Sequence, residues 1–91
     1  PPSPRYGFTL AYFMNQSGDR AGAGKMLDLV IARWPWHADS YLLLADIHLA
    51  GGEKTKARSL LEKAINENKL GPKDRRRLIL KLNSLNEGAR G

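Results

Sequence analysis

Large or apolar residues fall at Tyr41, Leu44, Ala45 and His48, then again at Ala57, Leu60, Leu61, Ala64 and Ile65. Steps of three and four residues keep one face of an α-helix apolar, so each run predicts an amphipathic helix. Between them lies Gly51–Gly52, a pair suited to a tight reversal. The pattern therefore predicts an antiparallel helical hairpin, each arm about 13 residues long.

Shifting the chain by 34 residues superimposes this pattern on an earlier copy of itself. Leu10, Leu44 and Leu78 coincide, as do Ala11 with Ala45, Gly18 with Gly52, Ala23 with Ala57, Leu27 with Leu61 and Ile31 with Ile65. Val30 falls on Ala64, and Ser3–Pro4, His37–Ala38 and Gly71–Pro72 mark three equivalent helix starts. Proline at a first helical position loses nothing, because that N–H has no partner within the helix. Asp39 stands in the first turn of its helix, where a carboxylate complements the helix dipole. Small residues at Ala11, Ala23, Ala45 and Ala57 let paired helices approach closely. Gly22 and Gly24 each weaken the second helix by about 1 kcal/mol relative to alanine, so its first turn is expected to fray.

An aromatic, a Leu–small pair, a large residue, a turn glycine, Ala, a large residue and Ala, in that order over 34 residues, resemble the tetratricopeptide repeat. Tyr41, Leu44–Ala45, His48, Gly52, Ala57, Leu61 and Ala64 stand at those places in one copy. Gly7, Leu10–Ala11, Met14, Gly18, Ala23, Leu27 and Val30, closed by Pro35, stand there in the other. Two departures are visible: Gly7 lacks the aromatic, and Lys69 stands where a closing proline would fall. The expected fold is all-α: one domain over 1–91 with repeat one at 4–37, repeat two at 38–71 and a capping helix at 72–88, five helices in all. In the last of these Ile79 replaces the small residue, and Lys73, Asp74, Arg75, Arg76 and Lys81 are expected to face water.

The resemblance implies a module that binds proteins and performs no chemistry, with the first helix of each hairpin lining a concave groove. Carried over by position, that groove comprises Arg5, Phe8, Tyr12 and Asn15, then Asp39, Leu42, Asp46 and Leu49, then Lys73, Arg76, Arg77 and Leu80. Apolar at one end and basic at the other, it would suit a peptide or partner helix with an acidic end. One subtype of the family grips a C-terminal carboxylate. Lys73 and Arg77 match its last two residues, but Phe8, Tyr12 and Leu43 occupy the other three places, so that subtype is not expected.

Charge refines this picture. The chain of 91 residues carries a net charge of +6. Residues 69–91 hold seven basic and two acidic side chains, whereas 38–68 hold four and five. The excess is thus one basic terminal helix, and binding of nucleic acid or another polyanion through Lys73–Arg77 is the alternative to a peptide groove. The last 22 residues carry no aromatic to pair with those cations, which weighs against it.

Candidate chemistry is sparse. There is no cysteine, hence no disulfide, thiolate site or C-x-x-C-H haem attachment. His37 and His48 lie on different helix faces without a carboxylate set, so no metal or other cofactor is expected, and His48 reads as a partly buried core residue. The stretch GDRAGAGK, Gly18 to Lys25, lacks the preceding strand and the following Ser or Thr of a phosphate loop. No serine, histidine and acid are spaced as a nucleophile with its base, so no enzyme is expected. No apolar run reaches the roughly 20 residues of a membrane span.

Two aromatic groups remain. Phe13 holds the place that Ile47 holds one repeat later, and Ile47 should pack on the preceding hairpin. Tyr6 and Phe13 are therefore expected to form an exposed face for an upstream domain or a second copy in a homodimer. In RWPWHADSY, Arg33 to Tyr41, Pro35 closes the first repeat, and Trp36 is expected to staple the next helix start against Tyr41 or a neighbour. The chain starts at Pro1 and ends in GARG, as a piece of a longer protein would. Repeat pairs of its "PRY...GD...A...L" kind also resemble the tails of large bacterial exported proteins, including multihaem cytochromes.

Overall fold

The computed structural model describes residues 3–88. It contains α1 (Pro4–Gln16), α2 (Arg20–Arg33), α3 (Ala38–Ala50), α4 (Lys54–Asn66) and α5 (Pro72–Gly88), with no strand among the described residues. Ser3 caps α1 by accepting from the Arg5 N–H at 3.2 Å, with Pro4 following at the first helical position. Asp19 caps α2 in the same way through the Gly22 N–H at 2.9 Å. The expected fraying of α2 is thus countered by a side-chain acceptor, which satisfies one of the four amides a helix start leaves open.

The two hairpin turns are copies of each other. Gly18 and Gly52 both adopt positive φ, at 92° and 76°. Behind them the Asp19 N–H donates to the Met14 carbonyl at 2.9 Å and the Glu53 N–H to the His48 carbonyl at 2.8 Å. Glycine serves here because a side chain in the left-handed region is strained.

The core is continuous along the stack. Ala11, Ala23, Leu27, Leu44 and Ile47 join α1, α2 and α3, while Tyr41, Ala45, Ala57, Leu61, Ile65 and Leu78 join α3, α4 and α5. Ile47 is buried against the first hairpin, and its counterpart Phe13 is 61% exposed. Leu10 departs from its register. Leu44 and Leu78 are buried, yet Leu10 is 39% exposed, because no helix lies on the outer side of α1 among the described residues.

The junction between hairpins also differs from expectation. Trp36 is 53% exposed and pairs edge-to-face with the His37 ring, at 6.1 Å between centroids. The joint is held instead by Tyr41, whose hydroxyl donates to the Pro35 carbonyl at 2.7 Å. Ser40, fully buried in the first turn of α3, lies with its Oγ 2.8 Å from His37 Nδ1, so its polar group is satisfied. Trp34 is half-buried, with the Arg33 guanidinium 5.2 Å from its ring centre.

Candidate functional site

Helices α1, α3 and α5 lie side by side, as the first arms of successive repeats. Period 34 puts equivalent positions on equivalent faces, so Phe8, Leu42 and Arg76 were expected in one row. The structure brings only part of that row together. Phe8 is half-buried and meets the His37 ring edge-on, with centroids 5.6 Å apart, which closes the α1–α3 seam. Leu42 and Leu80 form an apolar floor between α3 and α5 in an open hollow of about 460 Å³, walled by Asp46, Arg77, Lys81 and Ser84.

Ion pairs flank this floor. Arg77 donates from one nitrogen to Asp39 at 2.5 Å and from another to Asp74 at 3.0 Å. Lys81 lies 2.6 Å from Asp46. Hydrogen bonds to Asp39 and then to Asp74 raise the pKa of Arg77 above its ordinary value. Within the basic end anticipated from the sequence, Arg77 is therefore neutralised by Asp39 and Asp74, while Lys73 and Arg76 are exposed. Lys81, expected to face water, is half-buried on Asp46, whereas Arg75 is exposed as expected, its Nε donating to the Ile65 carbonyl at 3.3 Å.

Other residues of the expected groove do not border this hollow. Arg76 is not beside Arg77 on this face. It borders a separate hollow of about 580 Å³ at the α4–α5 joint, with Ile65, Leu70, Pro72 and Ile79. Adjacent helix positions diverge by about 100°, so two consecutive arginines cannot line one narrow strip. Leu49 is half-buried and packs into the α3–α5 core. Lys73 and Arg5 are exposed, and Asn15 is half-buried in the last turn of α1. Tyr12 is exposed and rests edge-on against Phe13, at 5.6 Å. Lys81 and Ser84 were missed as lining residues, although they follow Arg77 and Leu80 by one helical turn, a spacing legible in the sequence.

Two titratable groups at the hairpin junction are shifted. Burial lowers the pKa of His37 below its ordinary 6.5, opposed by the charges of Asp39 and Asp74, while Arg5 adds to the lowering. Burial raises the pKa of Tyr41 above 10.0, assisted by the Glu67 charge. His48 Nδ1 stands 3.5 Å from Glu53, which Lys56 also holds at 3.0 Å. The Lys56 hydrogen bond is the main reason that the Glu53 carboxyl titrates below its usual range. Among the described residues no cluster of His, Asp or Glu could hold a metal ion, and no helix is long and apolar enough to cross a membrane.

A family model described as tetratricopeptide repeat matches residues 14–74. Cellulose synthase operon protein C of Escherichia coli (strain K12) is 40% identical over 63 residues, which is 69% of this chain. The chain spans about 5% of the length of that curated relative. No solved structure matches.

Proposed function

The chain belongs to the tetratricopeptide repeat family, and we propose that it is an interaction and assembly module which holds a segment of a partner protein against α1, α3 and α5. Members of this family generally mediate protein–protein interaction and are typically non-catalytic scaffolds. The observation that carries the reading is the apolar floor of Leu42 and Leu80 between α3 and α5, flanked by the carboxylate–cation pairs of Asp39 and Asp46, and we place exposed Tyr12 of α1 on the same proposed surface. We further propose that residues 4–37, 38–71 and 72–88 act as two repeats and a cap within one domain, with α5 closing the stack.

An apolar strip flanked by satisfied ion pairs favours a segment that contributes apolar anchors, with polar groups set to exchange with the rim. An acidic segment would have to displace Asp39, Asp74 or Asp46 from cations that already hold them. Such a segment is the secondary form of this proposal, served by exposed Lys73. The polyanion alternative loses Arg77 and Lys81, which are paired within the molecule, and keeps only exposed Lys73, Arg75 and Arg76.

The 40% identity to cellulose synthase operon protein C favours one specific context. There the partner would be another product of such an operon, and the chain one segment of a longer repeat protein.

The test replaces two exposed groove side chains, Tyr12→Ala with Leu80→Ala, and compares capture of partners from the native host with the unaltered chain. Binding is then remeasured with each purified candidate. The reading expects at least one partner to lose tenfold or more in affinity. Every partner binding both proteins equally would overturn it.

A further inference from the structure

The seam between α2 and α3 lacks a bridge that the seam between α4 and α5 possesses. On the later seam Arg58 is half-buried and its Nε donates to Asn86 Oδ1 at 3.2 Å, so a side chain of α4 crosses to α5. The period of 34 puts Gly24 and Gly52 at the places of Arg58 and Asn86, so both ends of that bridge are missing on the earlier seam. A Cβ built on Gly24 would meet only Leu44 Cδ1, at 3.8 Å, and one built on Gly52 would meet nothing within 4 Å. An open hollow of about 400 Å³ lies there, with apolar groups of Ala21, Gly24, Leu44 and Ile47 in its lining. No residue of α1 or α5 borders it, so it belongs to the junction of the two hairpins and to neither end of the stack.

Its rim is charged. Arg20 and Lys25 of α2 border the hollow, and neither forms an ion pair among the described residues. Arg20 extends across the seam, since a Cβ built on Gly51, just after α3, would stand 3.6 Å from its Nη1. The remaining polar lining is half-buried His48 with Asp28 and Glu53, and Glu53 is already held by Lys56 at 3.0 Å.

We infer that this hollow receives one glutamate side chain of a different protein, with Arg20 and Lys25 as its counter-ions and Leu44 and Ile47 against its methylenes. A cation in the manner of Arg58 is opposed, because Arg20 already brings a guanidinium to this place and like charges repel. A carboxylate gains charge-assisted hydrogen bonds from a guanidinium and an ammonium, and the two methylenes of glutamate match the apolar lining. A polyanion suits the site less, since Asp28 and Glu53 would repel every further phosphate. A second copy is disfavoured by the net charge of +6, which an acidic partner complements. Both cations are exposed, so they contribute more to the choice of partner than to affinity. This hollow shares no residue with the Leu42–Leu80 floor and stands or falls independently of it.

The test is a titration of the whole chain at low salt with N-acetylglutamic acid α-amide, a single glutamate side chain on a neutral backbone, followed through ¹³C-labelled methyl signals. The site predicts saturable shifts at Leu44 and Ile47 that weaken as salt is raised, with the Leu85 methyls unmoved. The corresponding glutamine amide, which carries no charge, should move neither. Arg20→Gln combined with Lys25→Gln should weaken binding at least fivefold, and Gly24→Met, which fills the hollow without changing its charge, should abolish the shifts. The double variant alters only exposed side chains, so it keeps the test valid if Gly24→Met fails to fold by circular dichroism. No saturable shift, an equal response to the glutamine amide, or binding undiminished in the double variant would overturn the site. A single-stranded DNA 12-mer should leave the Leu44 and Ile47 methyls in place, and saturable shifts there would reassign the site to nucleic acid. Sedimentation should show a monomer, whereas a dimer lost in the double variant would make the glutamate that of a second copy and overturn the assignment to a different protein.

Discussion

Arg77 of α5 bridges Asp39 of α3 and Asp74 of its own helix, at 2.5 and 3.0 Å. One guanidinium thus ties the start of the second repeat to the closing helix, 38 positions later. All three side chains are partly open to water, and exposed pairs are worth only about 0.2–1 kcal/mol. A double-mutant cycle of Arg77→Ala with Asp39→Ala, measured by urea unfolding, should give a coupling in that range that shrinks as salt is raised. A coupling above about 2 kcal/mol would mean that the bridge is a principal tie between the helices.

Two glycines of α2 should respond to alanine with opposite signs. At Gly24 an added Cβ meets only Leu44 Cδ1, at 3.8 Å, so Gly24→Ala should stabilise by about 0.5–1 kcal/mol through helix propensity. At Gly22 the same atom would stand 2.5 Å from Met14 Cε and intrude on the Asp19 carboxylate that caps the helix. Gly22→Ala should therefore lower stability, or at best leave it unchanged. Thermal melts of the two variants side by side decide the point, and equal gains from both would refute the cap geometry.

Tyr41→Phe removes the hydroxyl that donates to the Pro35 carbonyl and should cost about 1 kcal/mol in urea unfolding. The raised pKa of Tyr41 adds a pH dependence: the folded state favours the protonated phenol, so its contribution is complete below pH 10.0 and is lost as pH rises beyond it. The variant should be flatter than the parent in that alkaline range.

Acid acts on the same junction through His37. Its pKa is lowered on folding, so the unfolded chain binds the proton more readily, and stability falls as pH drops through 6.5 toward the folded value. The urea midpoint should decline between pH 7 and pH 5, and His37→Gln should decline less. A His37→Gln profile parallel to that of the parent would show that His37 is not responsible.

The helix starts, the hairpin turns and the family were legible because they depend on local chemistry repeated in register. Ser3–Pro4, Gly18 with Gly52, and the Ala23–Leu27 and Ala57–Leu61 pairs each carry their message within a few residues. What the register could not convey was environment. Leu10 repeats Leu44 in identity yet lies on the outer helix of the stack, so it is partly exposed. Arg76 and Arg77 look alike in the chain, but the helix turns them toward different hollows. The ion pairs of Arg77 and Lys81 depended on Asp39 and Asp46 reaching across to α5, a pairing distant in sequence that periodicity alone does not specify. The missing aromatic at Gly7 was visible in the chain, and only the packing showed that Val30 Cγ2 takes up the room a side chain there would need.

The paired turns have a practical corollary. At both Gly18 and Gly52 an added Cβ would meet nothing within 4 Å, so each turn projects into open space even though its backbone demands glycine. Because the turns recur in register, they stand at equivalent places in successive hairpins. They offer two attachment points for tags or fluorophores, inserted after the glycine rather than in its place, whose separation would report the pitch of the array.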